Sequence, residues 1–145
     1  MSHRYLEVIY CDDIREEAGN KLSYMGVYGT ELNVIGAPHL LAKLCVAIRA
    51  VTPIDDPFRE LDIQVTKDGH DGALIETGPV PLPELNVNQS PDASVWVGTF
   101  MFFLSPFQID GMTKLQVTAR TERETLTGLP LRINVMAPSD QNSPA

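Results

Sequence analysis

Basic residues are scarce in this chain: 11 lysines and arginines stand against 19 aspartates and glutamates, a net charge of −8. Without a basic face nothing displaces counterions from phosphates, which argues against nucleic acid as a partner, and an anionic membrane surface is disfavoured too. Neutral or basic proteins are the partners such a chain attracts. No hydrophobic run approaches the roughly 20 residues that span a bilayer, and "MSHRYLEVIYCDD" carries only a short apolar stretch broken by Glu7, less than a secretory signal requires. A cytoplasmic location is expected. Cysteine is nearly absent as well. Cys11 and Cys45 are too few for a disulfide framework and read as reduced, buried thiols, with one bond bridging two packed sheets as the alternative.

Catalytic patterns are equally thin. His3, His39 and His70 form no His-x-x-x-His unit, there is no Cys-x-x-Cys, and no glycine-rich phosphate loop opens a helix. The chain is read as a non-enzyme with no cofactor. Helical periodicity is weak, with "APHLLAKL" offering one turn at most.

What remains is alternation with period two. Leu6, Val8 and Tyr10 share one face of "RYLEVIYC"; Leu44, Val46 and Ile48 share one face of "LCVAIRAV" against Cys45, Ala47 and Arg49. Leu61, Ile63 and Val65 alternate with charged and polar neighbours, as do Leu115, Val117 and Ala119, and "LRINV" closes the series with Leu131, Ile133 and Val135. Such stretches are half-buried antiparallel strands, one face in and one wet. "EEAGNK" and "KDGHDG" are turns, while the prolines of "VTPIDDPF" and "TGPVPLPEL" mark loops or edges. The reading is an all-β antiparallel sandwich of seven to eight strands, one domain over 1–137, with a flexible tail over 138–145.

"CDDIREEAGNKLSYMGVYG" resembles the opening of a family of bacterial and phage-borne proteins classed as a domain of unknown function. There, a polar turn leads into a Gly-x-Lys-Leu-Ser start and a strand ending Gly-Val-Tyr, matched here by Gly19, Lys21, Leu22, Ser23, Gly26, Val27 and Tyr28. "PFQIDGMTKLQVTARTE" and "LPLRINV" are similar to its last two strands. The resemblance implies an immunoglobulin-like or C2-like sandwich and brings no activity or functional residue with it. This chain is more acidic than the family at "CDDIREE" and more apolar at "FMFFLSPF".

Two stretches are candidate sites. Asp12, Asp13, Glu16 and Glu17 are weak candidates for a calcium site, which needs six to eight oxygens, but they lack Asp-x-Asp-x-Asp-Gly spacing and enclose Arg15. The stretch reads instead as a solvated turn. "VWVGTFMFFLSPF", residues 95–107, has almost no wet face. Either it is a central strand covered on both sides, with the proline-rich 78–92 segment folding over it, or one face binds a protein. Trp96, Phe100 and Phe102 are the expected partner-binding residues, with Gly98 leaving a dip between them. The function expected is a protein-interaction module; a self-assembling or virion-associated subunit and a calcium-binding sandwich are the alternatives.

Overall fold

The computed structural model describes residues 3–82 and 92–138. The five alternating stretches all become strands: β1 (Tyr5–Glu17), β5 (Leu44–Pro53), β6 (Glu60–Lys67), β11 (Thr113–Thr121) and β13 (Leu131–Met136); β2 (Lys21–Val27) and the two-sided apolar β9 (Val95–Leu104) are long strands as well. Between them lie six shorter strands: β3 (Glu31–Ile35), β4 (His39–Leu41), β7 (Ala73–Glu76), β8 (Val80–Pro81), β10 (Phe107–Ile109) and β12 (Thr125–Thr127). The thirteen strands among the described residues exceed the seven or eight expected, because strands of two to five residues are too short to display a period. Part of "APHLLAKL" is one of these, β4, rather than a helical turn.

One sheet has the order β2-β1-β5-β9, all antiparallel. The second runs β3-β13-β11-β6-β7, with β12 beside β11 and β8 beside β6, and β4 pairs with β10 separately. The β13–β3 pair is parallel, the exception to an otherwise antiparallel fold. Parallel neighbours need a long connection, and here most of the chain supplies it.

A single core joins the sheets, as in a sandwich. Tyr10, Val46 and Ile48 of the first sheet pack with Leu61, Ile63, Val65, Leu115, Val117, Leu131 and Ile133 of the second. These are the alternating residues read from the sequence, buried on the face where their parity places them. Two polar ties reinforce the packing. The Tyr10 hydroxyl donates to the Leu129 carbonyl at 2.9 Å, joining β1 to the β12–β13 connection. Arg4, its side chain 1% exposed, donates to the carbonyls of Asp56 and Pro57 and to the Glu122 carboxylate (2.7 Å), and lies 5.0 Å from the Phe58 ring centroid.

The turns use the residues their geometry demands. Gly19 and Asn20 both have positive φ between β1 and β2, and Gly69 and Gly72 do so between β6 and β7. The tail expected from 138 onward lies almost wholly outside the described residues, as does most of the proline-rich segment.

Candidate docking site

The acidic stretch is not a turn. β1 continues through it to Glu17, with Asp13 to Glu17 in register with Met25 to Lys21, and only residues 18–20 form the turn. Charge did not end the strand because a long hairpin arm needs no buried face on both sides. Asp12 and Asp13 turn to different partners. Asp12 accepts from the Tyr28 hydroxyl at 2.6 Å, while Asp13 pairs with Lys43, whose hydrogen bond holds the Asp13 carboxyl below the ordinary carboxylate range. Among the described residues no group of three or more His, Cys, Asp or Glu gathers to hold a metal.

β9 is also placed differently from expectation. Trp96, Phe100 and Phe102 are half-buried and pack against the core. The dip at Gly98 is already filled: a Cβ there would lie 2.5 Å from the Trp96 ring and 3.3 Å from Phe100. Trp96 further meets Phe58 edge-on at 6.4 Å. The exposed side chains belong to the opposite parity, Val95 and Phe103, the latter 51% exposed. Both parities of this strand are apolar, so periodicity could not say which face turned inward; the amphipathic partner strand β5 decides it.

The outer face of the first sheet forms a ladder along β1 and β5. Glu7 pairs with Arg49 at 3.1 Å, Ile9 faces Ala47, Cys11 faces Cys45, and Lys43 reaches Asp13. Val27 and Phe103 extend the cysteine row on either side. Cys11, Cys45 and Ala47 are buried although they point away from the core.

The Asp13 and Asp12 carbonyls lie against the two thiols, 3.4 Å from the Cys11 sulfur and 3.6 Å from that of Cys45. Glu16, Glu17, Asn20, Lys21 and Leu22 line one cleft of about 370 Å3 with Thr99 and Met101. Since β1 and β9 are separated by β5, the arm beyond Cys11 must cross the outer face of β5 to bring its tip beside β9. Gly26, in the second arm, has φ 65° and lies under the Asp12 carboxylate, where a Cβ would collide with a carboxylate oxygen. Only glycine satisfies both conditions.

The two sequence candidates thus meet in space, an acidic tip beside an apolar strand. Among the described residues the outer edge of β9 carries no partner strand. The histidines stand apart, at His3 before β1, His39 in β4 and His70 in the β6–β7 turn. No helix of the described residues is long and apolar enough to cross a membrane. No family model, no curated protein and no solved structure matches this chain.

Proposed function

We propose that the chain is a non-enzymatic protein-interaction module that docks an extended, basic segment of a partner along β9. The observation that carries this reading is the cleft where Glu16 and Glu17 stand beside Thr99 and Met101, next to an uncharged ten-residue strand that ends its sheet among the described residues. An open edge offers main-chain donors and acceptors to an incoming strand, and alternate side chains of that strand then meet the sheet face. On this face they meet Met101 and Phe103, while a lysine or arginine reaches the glutamates of the tip. The net charge of −8 steers basic segments toward it.

The charge-free edge also suits a second copy of the chain, because pairing β9 with β9 brings no like charges together. Sedimentation velocity separates the readings, as self-pairing gives a concentration-dependent dimer without any peptide. The direct test is fluorescence anisotropy with a labelled peptide of alternating valine and lysine, and its glutamate counterpart. The docking reading expects binding of the lysine peptide alone, weakened by salt and by Glu16→Gln with Glu17→Gln. Equal affinity for both peptides, or for neither, refutes it.

A further inference from the structure

Two cysteines far apart in sequence stand directly opposite each other. Cys11 of β1 and Cys45 of β5 are register partners, and both are 0% exposed. Facing residues of antiparallel strands have Cα atoms about 4.5 or 5.5 Å apart and project to the same side of the sheet. Either spacing lies within the ~4.4–6.8 Å that a disulfide spans. The sulfurs also converge: the Cys11 thiol donates to the Asp13 carbonyl at 3.4 Å and the Cys45 thiol to the neighbouring Asp12 carbonyl at 3.6 Å. Both therefore lean toward the same end of β1, side by side.

We propose that Cys11 and Cys45 are a redox-active dithiol that a peroxide closes to an intrachain cross-strand disulfide. Cys45 attacks first. Burial and the Asp13 carboxylate raise its pKa, and the Lys43 ammonium, two residues along the same face, offsets part of that rise. Cys11, pushed up to about 11 by burial, is the resolving thiol. The Cys45 sulfur displaces water from hydrogen peroxide and becomes a sulfenic acid; Cys11 displaces a second water as the S–S bond forms. Two thiols lose two electrons and two protons, and one peroxide becomes two waters.

The position gives the bond a structural consequence. Cys11 is the last residue of β1 paired with β5, after which the arm leaves to cross the sheet toward the β9 cleft. A disulfide there clamps the root of the arm. Amide exchange in β2 therefore slows on oxidation. This inference stands apart from the docking reading and is tested without any partner.

The experiment treats the whole chain with hydrogen peroxide, unfolds it in guanidinium, alkylates it with iodoacetamide and weighs it. The expected product is a monomer about 2 Da lighter with no alkylated cysteine, and dithiothreitol restores two alkylation sites. Lys43→Met slows the reaction several-fold, and Cys45→Ser leaves Cys11 alkylatable. Two thiols surviving peroxide, a sulfinic acid beside a free thiol, or cross-linking only between chains each overturns the proposal.

Discussion

Replacing Arg4 with methionine tests whether the polar corner over the Phe58 ring holds the sandwich together. Methionine keeps most of the aliphatic stem and its contact with Phe58, so the change removes charge and donors more than volume. Arg4 donates to two carbonyls of the 54–59 loop and to Glu122, which follows β11, tying three separate pieces of chain. Removing one member of a buried ion pair costs about 3–5 kcal/mol. Glu122 keeps a 26% exposed side chain and can rehydrate, so the lower end, about 3 kcal/mol, applies. For a domain of this length that corresponds to a fall in Tm of about 6–12 °C.

Thermal unfolding followed by near-ultraviolet circular dichroism reads this directly, because Trp96 is the only tryptophan and packs edge-on against Phe58. Glu122→Gln should cost less, and the Arg4→Met, Glu122→Gln double variant should lose less than the two single losses together. A fall smaller than about 3 °C for Arg4→Met would sink the argument, since uncompensated burial of its former partners would then carry no measurable cost. Additive losses in the double variant would show that the two side chains act separately.

Phe102→Asp should unfold or strongly destabilise the chain, whereas Phe103→Asp should leave the melt within about 1 °C of wild type and abolish peptide binding; the reverse pattern would show the strand faces misassigned. Gly26→Ala places a Cβ against the Asp12 carboxylate in a left-handed position, so we expect a loss of at least ~1–2 kcal/mol in urea titration, and a neutral result would disprove the close approach. Acid should destabilise the Arg4 corner. The hydrogen bond from Arg123 holds the Asp56 carboxyl below its ordinary value; at Glu122 burial pulls upward, but backbone donors and Arg4 outweigh it. Both carboxyls then have folded pKa values below the unfolded ones, so their contribution is complete above about pH 4.3 and disappears as pH falls through the depressed values. Urea midpoints measured from pH 6 down to 3 should fall less steeply in Arg4→Met than in wild type, and parallel slopes would refute this.

Where one face of a strand is polar, the sequence is enough to place it. Leu61, Ile63 and Val65 alternate with Asp62, Gln64 and Thr66, and all three sit at the core with no exposure. Where both faces are apolar, alternation is compatible with either face turning inward. Val95 to Leu104 is that case, and burying Trp96, Phe100 and Phe102 left Phe103 outside. The acidic arm failed for another reason. Charge predicts solvent but not whether the solvated backbone is a turn or a strand, and "REEAGNK" contains both.

The cleft itself was beyond reach of any local pattern. It depends on an arm of β1 and β2 crossing β5, so that residues 16–22 meet residues 99–101 across some eighty positions of chain. The cysteine pair shares this origin. Neither Cys11 nor Cys45 announces the other, and only the register of β1 against β5 sets them face to face. Register is decided by the whole hydrophobic set of both strands, since a slip of one residue would turn Tyr10 and Val46 out of the core. The apolar alternation that is easy to read therefore fixes, through pairing, the contacts that are not: Tyr10 opposite Val46 in the core requires Cys11 opposite Cys45 on the outer face.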